Sequence, residues 1–304
     1  MSTTSSATEP ALAGATPTLT RPVAVGPLVV GGKAPLVLLA GPCAIEGEAH
    51  ALRVAETLVR VTADAGVPFV YKSSYDKANR SSVQSYRGPG LREGLRILSR
   101  VKETFGCPVL SDVHLPAEVR PAAEVLDLVQ VPAFLCRQTD LVLACGRSGR
   151  PVNVKKGQFM APWEMRNVLA KLQSVGCDAV VLTERGASFG YNNLVVDFRG
   201  LAVMRAFGAP VAFDATHSVQ LPGGEGTRSG GERQYVAGLA RAAVAFGVDA
   251  LFMEVHEAPD RAPSDGATML PLSWLPRLLA EVRAIAAALA SNPGAAGLAR
   301  GGSA

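Results

Sequence analysis

From Lys33 onward the chain alternates short apolar runs with longer stretches of helical spacing. The runs fall at about residues 36–42, 67–71, 108–113, 126–132, 151–154, 178–182, 210–213 and 250–255. Nearly all their positions are apolar, as in parallel strands covered on both faces. Helical patterns lie between most of them: Ala49–Ala65, Leu91–Phe105, Trp163–Val175, Leu201–Phe207 and Tyr235–Phe246. Each stops at a glycine (Gly66, Gly106, Gly176, Gly208, Gly247), the usual helix terminator. The last helix is predicted over roughly Trp274–Leu289, and the weakest over the short Thr139–Cys145. Eight strand-like runs, each followed by a helix or a candidate for one, predict an α/β fold, a (β/α)8 TIM barrel. A doubly wound open sheet is the runner-up, because alternation alone does not prove closure. The chain has no repeat of solenoid length, and no G-x-G-x-x-G or G-x-x-x-x-G-K follows the first run.

The ends differ from the middle. Residues 1–22, rich in Ser, Thr, Ala and Pro, read as a flexible tail without the basic start and apolar centre of a signal peptide. Residues 292–304 read as a second tail. Val23–Gly32 is a short β-hairpin ahead of the barrel. A single domain over residues 23–291 is expected.

Composition narrows the class. The 304 residues are 48% hydrophobic and 18% charged, which suits a large core and not global disorder. A net charge of +4 without a basic block argues against nucleic acid as partner. No apolar run is long enough for a membrane span. Five cysteines (Cys43, Cys107, Cys136, Cys145, Cys177), odd in number and without a CxxC pair, suit reduced thiols in a cytoplasmic protein.

The polar residues gather on one side of the predicted strands. After the first run come Gly41, Pro42, Cys43 and Glu46; after the second, Lys72, Lys77, Asn79 and Arg80. The third gives Asp112 and His114, the fourth Arg137 and Gln138, the fifth Lys155 and Lys156. The sixth gives Glu184 and Arg185, the seventh Asp214, His217 and Gln220. The eighth gives Glu254 and His256 and, after a loop, Asp265. In a barrel all these exits meet on one face, where active sites lie. Residues 71–90 alone place Lys72, Lys77, Arg80 and Arg87 among hydroxyls and an amide. That mixture suits a phosphorylated, polyhydroxylated ligand, although a solvated loop has similar composition. Cys43, His217, Glu254 and Asp265 offer sulfur, imidazole and two carboxylates from strands one, seven and eight, which adjoin once a barrel closes. This donor set suits Fe(II), Zn(II) or Mn(II). His114 and His256 compete for the imidazole role.

Seven stretches carry a resemblance: AGPCAIE (40–46), KSSYDKANRSSVQSYRGPG (72–90), SDVH (111–114), QVPAFLCRQTD (130–140), NVKKGQF (153–159), ERGASFGYNNLVVD (184–197) and FDATHSVQ (213–220). They are similar to the 3-deoxy-D-manno-octulosonate 8-phosphate synthases over roughly residues 33–290. The resemblance implies a transferase that condenses phosphoenolpyruvate with D-arabinose 5-phosphate and water in lipopolysaccharide inner-core sugar synthesis. It also implies a homotetramer of (β/α)8 barrels and no organic cofactor. Lys72, Lys77, Lys155 and Arg185 resemble the residues that hold phosphoenolpyruvate, with Ala133, Gln158 and Gln220 near them. Asn79, Arg80 and Ser81 resemble the sugar-phosphate contacts, with Arg137 reaching a neighbouring subunit's site. Cys43, where a metal-free branch has Asn, implies the metal-dependent branch with His217, Glu254 and Asp265 as partners. Lys77, Asp112, His217 and Asp265 are the catalytic candidates. The glycine-rich residues 221–231 are read as a lid. A sister synthase using erythrose 4-phosphate, or a non-catalytic phosphosugar-binding barrel, are the other readings.

Overall fold

Each apolar run becomes a strand in the computed structural model, which describes residues 19–80, 82–224 and 229–291. The strands are β1 (Val37–Gly41), β2 (Phe69–Lys72), β3 (Val109–Asp112), β4 (Leu128–Val131), β5 (Val152–Lys155), β6 (Val180–Glu184), β7 (Val211–Asp214) and β8 (Ala250–His256). The helices are α1 (Glu48–Ala65), α2 (Leu91–Phe105), α3 (Pro116–Val125), α4 (Thr139–Gly146), α5 (Met165–Gln173), α6 (Arg199–Arg205), α7 (Val236–Phe246) and α8 (Leu275–Ser291). All neighbouring barrel strands are parallel. β7 pairs with β8 (Asp214 opposite Phe252), and β8 pairs with β1 (Glu254 opposite Gly41). Those two pairings close the ring, so the open sheet is excluded and the (β/α)8 barrel stands.

Strand parity divides the core in two. Leu38, Tyr71, Val129, Val154, Leu182, Phe213 and Met253 point outward and pack under the helices. Val37, Leu39, Val70, Leu110, Leu128, Val181, Ala212, Ala250 and Phe252 point inward. The inward set forms one cluster with Val23, Val25 and Val30 of the expected hairpin, whose strands are Val23–Val25 and Leu28–Val30. The hairpin therefore plugs the barrel from its N-terminal end. Gly26, at φ 54°, supplies the positive φ that its two-residue turn needs.

The boundaries correct the sequence reading in places. α3 escaped it because Pro121 lies inside the helix, where a proline normally ends one. α5 starts at Met165, after a 3-10 turn over Pro162–Glu164, and α6 ends at Arg205 instead of Phe207. β2, β5, β6 and β7 run on to Lys72, Lys155, Glu184 and Asp214, so these polar residues sit on strands and not on loops. Thr20 and Arg21, within the stretch read as tail, are anchored: the Thr20 hydroxyl donates to Asp249 and the Arg21 N–H to the Gly208 carbonyl. Residues 1–18 and 292–304, Ser81, and residues 225–228 of the expected lid lie outside the described residues. No helix among the described residues is long and apolar enough to cross a membrane.

Candidate active site

Above the Phe252 layer the inward positions change character. They become Lys72, Asp112, Gln130, Asn153, Lys155, Thr183, Asp214 and Glu254, one step further along the same parity. Lys155 Nζ sits 3.6 Å from the centroid of the Phe252 ring and Lys72 Nζ 5.3 Å from it. The aromatic face is thus a floor on which two cations rest.

A cavity of about 520 Å³ opens over this floor at the C-terminal mouth. Its lining includes Lys72, Lys77, Asn79, Arg80, Asp112, His114, Ala133, Lys155, Gln158, Arg185, His217, Gln220 and Asp265. That volume suits a small polar ligand. Of the candidate catalytic, binding and metal residues, all but Cys43, Ser81, Arg137 and Glu254 are in this lining. Arg137 is not: it is exposed and outside the lining. Ser81 is outside the described residues. Cys43 and Glu254 lie buried below the surface of the cavity, 1% and 0% exposed.

The cations are held by carboxylates. Lys72 Nζ lies 2.9 Å and Lys77 Nζ 3.4 Å from Glu254 Oε1, and Lys155 Nζ lies 2.5 Å from Asp214 Oδ2. Arg80 Nη1 stands 3.7 Å from Asp265, and Arg185 Nη2 donates to Gln220 at 2.8 Å. Burial alone would raise Glu254 and Asp112, but Lys72 and Lys77 outweigh it and hold both carboxyls below the ordinary range. Burial lowers Lys155 and Arg185 from their usual values. Arg185 Nη1 and Gln158 Oε1 have no hydrogen-bond partner among the described residues.

Beside this cation cluster, Cys43, Glu254 and Asp265 bring one ligand atom each within 4.8 Å of one another. Cys43 Sγ donates to Asp265 Oδ2 at 3.0 Å. His217 Nε2 lies 3.6 Å from Glu254 Oε2 and 3.9 Å from Asp265 Oδ2. The chain builds each position locally. Gly41, at the end of β1, lies so close to β2 that a Cβ would stand 2.0 Å from the Lys72 carbonyl oxygen. Just beyond it, the Ser73 hydroxyl donates to the Pro42 carbonyl and the Ser74 N–H to the Cys43 carbonyl, which fixes the thiol. Asp214 caps the turn after β7 by accepting from the His217 N–H, and its Oδ2 lies 2.7 Å from His217 Nδ1. That bond leaves Nε2 for the cluster. Asp265 adopts φ 50°, the left-handed region that a residue with a side chain seldom takes.

Does this set fit a cation? Glu254 Oε2 is buried without a hydrogen-bond partner. Burial, with Asp265 and Glu254 close by, pushes the Cys43 thiol far above its usual value. A divalent ion would relieve both features, by accepting the orphan oxygen as a ligand and stabilising a thiolate. The residues fit.

The competing histidines go elsewhere. His114 lines the cavity, with Nδ1 3.5 Å from Glu118 Oε2. His256 joins Glu46 and His50 in a second group within 4.8 Å. There the Ala258 N–H donates to His256 Nδ1 at 2.9 Å, which leaves the ring proton on Nε2, 3.1 Å from Glu46. A proton stands where a metal would have to bind.

Sequence reading missed Ser74, Gln130, Asn153 and Thr183. Three of these are single polar residues inside apolar strands, and their inward parity was the available signal. The expected lid is described only at its ends, where Gln220–Leu221 pairs with Gly230–Gly231 and Pro222, Gly223 and Ser229 line the cavity.

Fold and site together define a (β/α)8-barrel enzyme whose C-terminal mouth gathers cations for an anionic small molecule. The chain matches the DAHP synthetase I family over residues 16–289 and belongs to it. It is 59% identical over 267 residues to a 2-dehydro-3-deoxyphosphooctonate aldolase of Citrifermentans bemidjiense, covering 88% of this chain and 98% of that protein. Proteins with the same name from Syntrophotalea carbinolica and Pelobacter propionicus are each 60% identical, over 268 and 267 residues. They cover 88% of this chain and 97% and 98% of their own lengths.

Proposed function

We propose that this protein condenses phosphoenolpyruvate with D-arabinose 5-phosphate and water, giving 3-deoxy-D-manno-octulosonate 8-phosphate and inorganic phosphate. The observation that carries the reading is the crowding of Lys72, Lys77, Lys155 and Arg185 around one cavity, with Arg185 Nη1 unpartnered. Glu254 and Asp214 offset part of this charge, and Arg185 Nη1 is left to donate to an anion bound in the cavity. The carboxylate and phosphate of phosphoenolpyruvate supply such anions. Asn79, Arg80 and Ser81 take the sugar phosphate, and Arg137 serves the site of a neighbouring copy in a homotetramer. The exposure of Arg137 supports that assignment.

In the reaction, C3 of phosphoenolpyruvate bonds to the sugar aldehyde carbon, and the aldehyde oxygen gains a proton. Water adds at C2 and the C2–O bond to phosphate breaks. Lys72, Lys77, Lys155 and Arg185 bind and orient the enol phosphate and offset the charge that builds on the departing phosphate. Asp112 and His217 stand at the cavity surface as the groups that hold or move protons. Cys43, His217, Glu254 and Asp265 would hold a divalent transition ion, which supplies Lewis-acid polarisation of an oxygen when bound. Ala133, Gln158 and Gln220 shape the cavity between these groups. We place the reaction in the cytoplasm, in the synthesis of a lipopolysaccharide inner-core sugar.

The test is phosphate release from phosphoenolpyruvate with arabinose 5-phosphate or erythrose 4-phosphate, with chelator and with metals added back. Release with the five-carbon sugar phosphate is expected, lost on chelation and restored by metal. Release only with the four-carbon sugar would move the protein to the sister synthase. No release from either would leave a binding barrel.

A further inference from the structure

Four inward-facing side chains form one line of hydrogen bonds across the barrel. Thr183 Oγ1 donates to Asn153 Oδ1 at 2.6 Å, and Asn153 Nδ2 donates to Gln130 Oε1 at 2.7 Å. Gln130 Nε2 then donates to Asp112 Oδ1. The residues sit on β6, β5, β4 and β3 in turn, with Gln130 in register with both Asn153 and Asp112. Thr183 and Asn153 are 0% exposed and Gln130 1%, so bulk water cannot replace any of these bonds.

The direction of the line is fixed by chemistry. Asp112 is ionised beside Lys72 and Lys77 and can only accept. Gln130 must therefore present its amino group to Asp112 and its carbonyl to Asn153. Asn153 must do the same one strand further on, and the Thr183 hydroxyl must donate. Turning any one amide round would set two acceptors against each other in a dry interior.

The line ends at the cavity. Asp112 Oδ2 accepts from the Ser74 hydroxyl at 2.6 Å and lies 4.0 Å from Lys77 Nζ. Asp112 and Lys77 line the cavity, whereas Gln130, Asn153 and Thr183 do not. We propose that Asn153 and Thr183 are positioning residues. Acting through Gln130, they set the orientation of the Asp112 carboxylate and with it the place of Lys77 in the phosphoenolpyruvate site. The inference rests on the condensation proposed above.

The experiment compares wild type, N153D, T183V and T183S by phosphate release from phosphoenolpyruvate and arabinose 5-phosphate, from about pH 6 to about pH 9. An ionised carboxylate at position 153 cannot donate to Gln130, but a protonated one can, and its other oxygen still accepts from Thr183. The ratio of N153D to wild-type kcat is expected to be highest at the acid end. It should fall about 10- to 100-fold as the pH rises, the range for a lost hydrogen bond to a charged group. KM should move much less than kcat. T183V should lose several-fold in kcat and T183S should recover it. A ratio for N153D that is flat with pH overturns the proposal, and so does T183V with wild-type kcat. If N153D does not fold, the Thr183 pair decides alone. A wild-type chain that releases no phosphate overturns the functional reading and this proposal with it. Wild-type turnover with indifferent variants overturns the proposal only.

Discussion

Two groups of side chains of metal-ligating type leave the ends of β1 and β8 within a few residues of each other. Cys43 and Glu254 face the barrel mouth, where Asp265 and His217 join them. Glu46 and His256 turn toward α1, where they meet His50, whose ring centroid is 4.9 Å from that of His256. The residue types are comparable, but the bonding is not. In the outer group the two nitrogens of His256 are engaged by Ala258 and Glu46, and His50 Nε2 lies 3.0 Å from Glu257. Among the buried polar atoms of this group only His50 Nδ1 lacks a partner, and one nitrogen is not a ligand set. In the inner group Glu254 Oε2 is buried and unpartnered, and a Glu254 oxygen, the Cys43 thiol and an Asp265 oxygen lie within 4.8 Å of one another. Clustered donors can take a metal only where lone pairs remain unspent, which singles out the inner group as the candidate.

Replacing an inner ligand should break this contrast most strongly. C43A and H217A are each expected to emerge from gel filtration without bound metal, and to lose phosphate release by about a thousandfold or more. Metal content by mass spectrometry and the phosphate assay check this; C43A with full activity after chelation would remove the metal assignment. D214N touches no metal directly but weakens the hold on His217 Nδ1, so metal affinity should fall about 10- to 100-fold in a competition titration. R185A should leave metal content unchanged and lower kcat/KM for phosphoenolpyruvate about 10- to 100-fold, the range for lost charge-assisted bonds.

Acid should act on the inner carboxylates. Asp112 and Glu254 have folded-state values below the unfolded values of about 4, because Lys72 and Lys77 outweigh burial. Their stabilisation is fully present above about pH 5 and is lost as the pH falls through the depressed values. The melting temperature should therefore be level from about pH 6 to about pH 8 and drop below about pH 4. The smallest effect sharpens the comparison from the other side. H50A should cost about 1–2 kcal/mol in urea unfolding and leave metal content and turnover unchanged. A loss of metal in H50A would erase the distinction between the two groups.

Much of this is legible in the amino-acid sequence. The eight apolar runs, with five glycines after the helical stretches between them, carried the barrel, because a parallel strand buried on both faces admits little else. The cations and the Cys43, His217, Glu254 and Asp265 set were visible because polar residues at strand exits interrupt that pattern. α3 was not visible, since Pro121 imitates a helix end. The Gln130–Asn153–Thr183 line was not visible either, because a single amide or hydroxyl in a strand looks like tolerated polarity until its facing partners are known.

The order and spacing of hydrophobic residues determined the elements, their sequence and the end of the barrel that carries the chemistry, because burial acts on each segment separately. Only the tertiary structure decided which donors stay unsatisfied. Glu254 and His256 lie two residues apart on one strand, and their fates separate because hydrogen bonds depend on distance and direction across the fold. Those directions come from neighbouring strands that lie tens or hundreds of residues away in the chain.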